Sequence, residues 1–121
     1  MERTILIVDD SASIRNLVEF TLSNAGFKVI SANNGQEALE KIDAQAIHLL
    51  LTDLHMPVMS GMELIKEIRL REKYKLLPIL FLTTETQIGL KQEAKELGAT
   101  GWIVKPFDSE KLITTIRKVI R

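Results

Sequence analysis

Short apolar runs alternate with amphipathic stretches five times along the chain. The runs are Ile5 to Val8, Phe27 to Ala32, Ile47 to Thr52, Ile79 to Leu82 and Trp102 to Val104. Between them, apolar residues recur three and four positions apart, which is the spacing of one helix face. Ile14, Leu17, Val18, Leu22 and Ala25 form the first such stripe, and Gly26 supplies a stop. Ala38, Leu39 and Ile42 mark the second, and Leu64, Ile65 and Ile68 the third. Leu90, Ala94 and Leu97 mark the fourth, which Gly98 follows. The fifth carries Leu112, Ile113, Ile116, Val119 and Ile120, with Asp108 placed to cap its start.

This alternation predicts an α/β fold of the (βα)5 type. Strands joined by helical crossovers run parallel, and the helices then cover both faces of the sheet in three layers. The first, third and fourth runs are apolar on both sides and read as central strands. The second, Phe27-Lys28-Val29-Ile30-Ser31, is mixed and reads as an edge. Right-handed crossovers and a buried first strand favour a doubly wound sheet of order 2-1-3-4-5. No linker, repeat or low-complexity tract interrupts the 121 residues, so residues 1–121 read as one domain.

Composition mainly removes possibilities. Sixteen basic and 16 acidic residues cancel, leaving no general field for nucleic acid or an anionic membrane. The absence of cysteine excludes disulfides and thiol chemistry and suits a reducing cytosol, so a cytoplasmic location is expected. No apolar run approaches membrane-spanning length. Met1-Glu2-Arg3-Thr4 leads straight into a strand, without the pattern of a secretory signal.

The polar residues at the strand ends carry the candidate chemistry. In a doubly wound sheet the ligand site lies beyond the C-terminal strand ends where strand order reverses, here between strands 1 and 3. Strand 1 stops at Asp9-Asp10 and strand 3 at Asp53. Three carboxylates brought together repel one another and raise each other's pKa values. A hard divalent cation resolves that conflict, and an oxygen-only set without a Cys or His cluster favours Mg²⁺ over zinc. Strand 4 ends in Thr83-Thr84 and strand 5 in Lys105, adding a hydroxyl and a cation to the same rim. A phosphoryl group fits such a set.

Each piece has a plainer reading. Asp9-Asp10 could be a helix cap, Asp53 a turn residue, Thr84-x-x-Gln87 a capping box and Lys105 a solvated charge. Their common rim is what independent caps have no reason to share. Competing signatures are missing: the sequence has no G-x-x-x-x-G-K-[ST], no G-x-G-x-x-G after strand 1 and no G-x-S-x-G.

These residues resemble response-regulator receiver domains, those of the CheY chemotaxis type in particular. The matching segments are Ile7-Val8-Asp9-Asp10-Ser11, Thr52-Asp53-Leu54-His55-Met56-Pro57, Gly61, Leu82-Thr83 and Lys105-Pro106-Phe107, in the family's order and spacing. The resemblance implies a flavodoxin-like, CheY-like sandwich. It implies Asp53 as phosphoacceptor, with Mg²⁺ held by Asp9, Asp10, Asp53 and the backbone carbonyl of His55. Thr83 resembles the hydroxyl that swings to the phosphoryl oxygen, and Lys105 the lysine that pairs with carboxylate and then phosphate. Lys105-Pro106 is expected to be cis. Trp102 stands where chemotaxis members carry tyrosine, and it is read either as a switch reporter or as a packed strand aromatic. His55 and Glu85 occupy positions that tune access of water and donor in this family, although a solvent-facing loop histidine is an equal reading. His48 reads as structural.

The function so implied is a phosphorylation-dependent signalling module, not an enzyme in the ordinary sense, with Mg²⁺-dependent autophosphorylation and autodephosphorylation. Its donor would be a CheA-like sensor histidine kinase. Its output would be a protein target on the face of helix 4, strand 5 and helix 5, with the flagellar motor switch as a candidate. No direct contact with nucleic acid and no membrane insertion are expected. The rivals are a phosphorelay shuttle, an Mg²⁺-dependent phosphatase or phosphotransferase, and a flavin binder. The phosphatase would lack a cap domain here, and three carboxylates would repel a flavin phosphate.

Overall fold

The computed structural model describes residues 2–84 and 87–120. Five strands, β1 (Thr4–Val8), β2 (Lys28–Ala32), β3 (Leu49–Thr52), β4 (Ile79–Thr83) and β5 (Gly101–Val104), alternate with α1 (Ala12–Asn24), α2 (Gly35–Ala44), α3 (Gly61–Arg69), α4 (Ile88–Glu96) and α5 (Ser109–Val119). A single 3₁₀ turn, Glu72–Tyr74, separates α3 from β4. All four strand pairings are parallel, and the order is β2-β1-β3-β4-β5. This is the order expected from the hydrophobic pattern, with the mixed second strand at an edge.

Strand periodicity divides the core into two layers. Ile5, Ile7, Leu49, Leu51, Leu80 and Leu82 face Val18 and Leu22 of α1 and Leu112 and Ile116 of α5. The alternate residues Leu6, Val8, Leu50, Ile79 and Phe81 face Ala38 and Ile42 of α2, Leu64 and Ile68 of α3, and Ala94 of α4. Burial of each such Val, Leu, Ile or Phe side chain contributes about 1.5–3 kcal/mol.

Local signals set the helix ends. Ser11, not an aspartate, caps α1 by accepting from the Ile14 N–H. Asp108 caps α5 and Asn34 caps α2, and Ser60 with Glu63 forms a reciprocal capping box on α3. Past α1, Gly26 takes φ +97° while the N–H groups of Gly26 and Phe27 return to the carbonyls of Ser23 and Leu22. The Thr84-x-x-Gln87 capping box does not start α4, because that helix begins at Ile88 with Gln87 at its N-cap.

Two details depart from the sequence pattern. Leu17 is 50% exposed, and Thr21 takes its place in the buried stripe. The stripe follows Ile14, Val18 and Thr21 at the helical period, and Leu17 sits 100° behind Val18. Strand β3 begins at Leu49 rather than Ile47, whose N–H bonds outside the sheet. Backbone Ile47 N–H donates to the Tyr74 hydroxyl, and backbone His48 N–H donates to the Thr4 carbonyl. His48 Nδ1 in turn accepts from the Thr4 N–H at 2.9 Å. Among the described residues, no helix is long and apolar enough to cross a membrane.

Candidate functional site

Parallel strands deliver their C-terminal tips to one rim, and ladder bonds carry the sheet one residue past several tips. The Asp9 N–H donates to the Ala32 carbonyl and the Asp53 N–H to the Val8 carbonyl. The Lys105 N–H donates to the Thr83 carbonyl at 2.9 Å. Asp9, Asp53, Thr83 and Lys105 are therefore held by backbone hydrogen bonds that do not depend on their side-chain contacts. One carboxylate oxygen from each of Asp9, Asp10 and Asp53 lies within 4.8 Å of the others.

Lys105 Nζ donates to Asp9 Oδ2 at 2.7 Å and to Asp53 Oδ2 at 3.2 Å. The other oxygens of these carboxylates are held locally, Asp9 Oδ1 by the Ser11 N–H and Asp53 Oδ1 by the Leu54 N–H. Asp9 is 1% exposed, whereas Asp10 is exposed. Burial pushes the Asp9 carboxyl above its usual range, and the hydrogen bonds from Lys105 and Ser11 only partly oppose this. Burial alone would lower Lys105, yet the two carboxylates more than offset it and the ammonium is held above its ordinary value. One lysine thus leaves the rim short of positive charge. An oxygen-only cluster with that deficit fits a hard divalent cation.

Close approach at the third tip depends on Gly61. Its N–H donates to the Leu54 carbonyl at 2.8 Å. A Cβ at this position would overlap the Asp53 carbonyl oxygen and the Phe81 ring. Thr83 is buried at the end of β4, and Thr84 beside it is exposed. The Lys105-Pro106 bond is cis. His55 is exposed on the loop after β3, and Glu85 lies outside the described residues. On that same loop Val58 takes φ +73° with its side chain 78% exposed.

Trp102 is half-buried on β5, away from the acidic rim. Its ring meets Phe81 at 5.3 Å between centroids, and Lys91 Nζ lies over it at 5.7 Å. A cleft of about 210 Å³ opens beside it, lined by Lys91, Ala94, Lys95 and Gly101. A second of about 440 Å³ is lined by Lys91, Val104, Pro106, Phe107 and Lys111. Arg15, which the sequence pattern did not single out, also reaches the rim: its Nη1 donates to the Asp9 carbonyl at 2.6 Å.

Residues 5–117 match the family described as Response regulator receiver domain. The chain belongs to that family. Among curated relatives, this receiver domain is 38% identical over 118 residues to chemotaxis protein CheY1 of Helicobacter pylori (strain J99 / ATCC 700824), covering 96% of this chain and 95% of that one. Among solved structures, it superposes on chemotaxis protein CheY4 of Vibrio cholerae with a TM-score of 0.95 at 47% identity, covering 98% and 99% of the two chains. It also resembles the receiver domain of the sensor histidine kinase PA1611 from Pseudomonas aeruginosa PAO1, with a TM-score of 0.90, 25% identity and 98% of each chain covered. That structure has a magnesium ion coordinated in its active site cleft. The receiver domain is therefore a two-component signalling module whose relatives include CheY-type chemotaxis regulators.

Proposed function

We propose that this receiver domain takes a phosphoryl group onto Asp53 from a phosphohistidine of a CheA-like kinase and thereby changes its α4, β5 and α5 face. The observation that carries this reading is the meeting of three carboxylates on one rim, with Lys105 bonded to two of them. In the transfer, an Asp53 oxygen forms a bond to phosphorus as the phosphorus–nitrogen bond breaks. The departing imidazole nitrogen keeps the electron pair and takes up a proton. Asp9, Asp10, Asp53 and the His55 carbonyl would hold Mg²⁺, and the magnesium in the active site cleft of the PA1611 receiver domain supports a metal at this rim. Bound there, Mg²⁺ supplies positive charge against the phosphoryl oxygens.

The protein's own groups do the rest. Asp9 competes with Asp53 for Lys105, so the ammonium can leave Asp53 for a phosphoryl oxygen without losing every partner. Thr83 offers its hydroxyl from the neighbouring tip. The new group carries about 1.5 to 2 negative charges at neutral pH, which both residues would feel. Phe81 and Trp102 link this rim to the clefts flanked by Lys91, Lys95 and Lys111, where a protein target would dock. A chemotaxis output is supported by the CheY1 and CheY4 likeness.

The test is incubation with acetyl phosphate and Mg²⁺, read by intact mass and Trp102 fluorescence. One added phosphoryl group is expected, absent in Asp53→Asn and absent with chelator. Equal labelling of Asp53→Asn would remove the assigned acceptor.

A further inference from the structure

Of the two adjacent aspartates, only Asp9 is held by its side chain. Its carboxylate bonds to the Ser11 N–H at 2.9 Å and to Lys105 Nζ at 2.7 Å. Asp10 is exposed, and among the described residues its carboxylate has no hydrogen-bond or ion-pair partner. What anchors Asp10 is thus the backbone, above all the peptide unit that joins Asp9 to Asp10. The carbonyl of that unit is the one that Arg15 Nη1 grips at 2.6 Å.

We infer that Arg15 is a positioning residue for the metal pair, fixing the Asp9–Asp10 peptide plane and through it the Asp10 carboxylate. The inference rests on the reading of the rim as an Mg²⁺ site. Local structure makes the reach possible. Ser11 caps α1, and Arg15 N–H closes the first turn on the Ser11 carbonyl at 3.0 Å. The half-buried Arg15 side chain then folds back over the β1–α1 loop to a carbonyl six residues earlier. The other end of the Asp9 residue is tied by its N–H to the Ala32 carbonyl at 3.2 Å. Asp9 can therefore exchange its carboxylate partners while its backbone stays in place.

The charge on Arg15 acts in the opposite sense. A guanidinium one peptide from a cation site repels the incoming ion. A purely electrostatic Arg15 would weaken Mg²⁺ binding, and its removal would tighten it. A positioning Arg15 strengthens binding, because a ligand aimed in advance loses less freedom when the ion arrives. The two roles differ in the sign of one measurement.

That measurement is calorimetric titration with MgCl₂ of wild type, Arg15→Ala, Arg15→Lys and Asp10→Asn, with melting temperatures recorded with and without the ion. Arg15→Ala is expected to raise the Mg²⁺ Kd about tenfold, as loss of a ligand-orienting partner does. Its Mg²⁺-induced rise in melting temperature should shrink in step. Arg15→Lys keeps a donor and the charge and should recover most of the affinity, which general loosening of the fold would not allow. An Arg15→Ala affinity equal to wild type, or tighter, overturns the positioning role while leaving the metal site intact. If wild type and Asp10→Asn bind Mg²⁺ alike, the metal-site reading itself falls and this inference falls with it.

Discussion

Lys105 sits nearer to Asp9 than to Asp53, at 2.7 Å against 3.2 Å. A single ammonium with 13% of its side chain exposed thus serves two carboxylates, one of them almost wholly buried. Removing one member of an enclosed ion pair leaves the other uncompensated and costs about 3–5 kcal/mol. This rim is open on one side, so Lys105→Met should cost roughly 2–3 kcal/mol in metal-free urea denaturation. Saturating MgCl₂ should narrow the gap to wild type. A gap unchanged by the ion would show that Lys105 is not compensating the acidic cluster.

The pH dependence follows from the direction of the Asp9 shift. Burial raises this carboxyl despite its lysine partner. A group that holds its proton more tightly when folded stabilises the fold at low pH, and that contribution is lost as pH rises through the raised value. Ionised Asp9 therefore penalises the metal-free protein at neutral pH. Lys105 is raised too, so its own contribution is complete below the ordinary lysine value of 10.5 and fades only in more alkaline solution. Asp9→Asn should raise the metal-free melting temperature at pH 7, and the gain should shrink towards and below the ordinary aspartate value of 3.8. For a chain of this size each ~1 kcal/mol appears as about 4 °C, which differential scanning calorimetry resolves. A lower melting temperature at pH 7 would contradict the burial argument.

Gly61 is needed for space rather than for an unusual backbone angle. A methyl group there would press on the Asp53 carbonyl and the Phe81 ring. Overpacking of this kind costs about 1–3 kcal/mol, and here the backbone that must move is that of the proposed acceptor. Gly61→Ala should lower stability by that amount in urea denaturation and slow labelling by acetyl phosphate. Wild-type labelling in a destabilised variant would show that the loop yields elsewhere.

His48 tests the opposite end of the sheet. Its Nδ1 accepts the Thr4 N–H, so the ring must present an unprotonated nitrogen there. His48→Leu strands that donor and should cost about 1–3 kcal/mol in the same denaturation measurement. Mg²⁺ affinity and phosphoryl uptake should be unchanged, since the acidic rim lies at the other strand ends. A loss of Mg²⁺ affinity in this variant would mean that the two ends are coupled.

The strand tips were legible because period and order are local signals. Alternating apolar runs gave the sheet, the sheet order gave a switch point, and Asp9, Asp10, Asp53, Thr83 and Lys105 stood at the ends of the right runs. Contacts that join distant segments left no such trace. Tyr74 lies outside every apolar stripe, yet its buried hydroxyl accepts from the Ile47 N–H and faces the carbonyls of Ile42 and Gln45 at 3.3 and 3.1 Å. Arg15 carries no signal in the sequence pattern, because its partner is a carbonyl that only the folded loop presents. Leu17 was misplaced by its chemistry: an apolar residue at the border of a stripe can face either way, and here Thr21 fills the inner position.

The bonds from Asp53 N–H to Val8 and from Lys105 N–H to Thr83 have a dynamic consequence. They make the tips that carry Asp53 and Lys105 a continuation of the interstrand ladder, so strands cannot slide apart there without breaking the sheet. Rearrangement at these tips is left to side-chain torsions, which turn far faster than a sheet opens. Deuterium should accordingly enter these two amides on the schedule of whole-molecule unfolding, leaving a stiff frame in which only the chemical groups swivel.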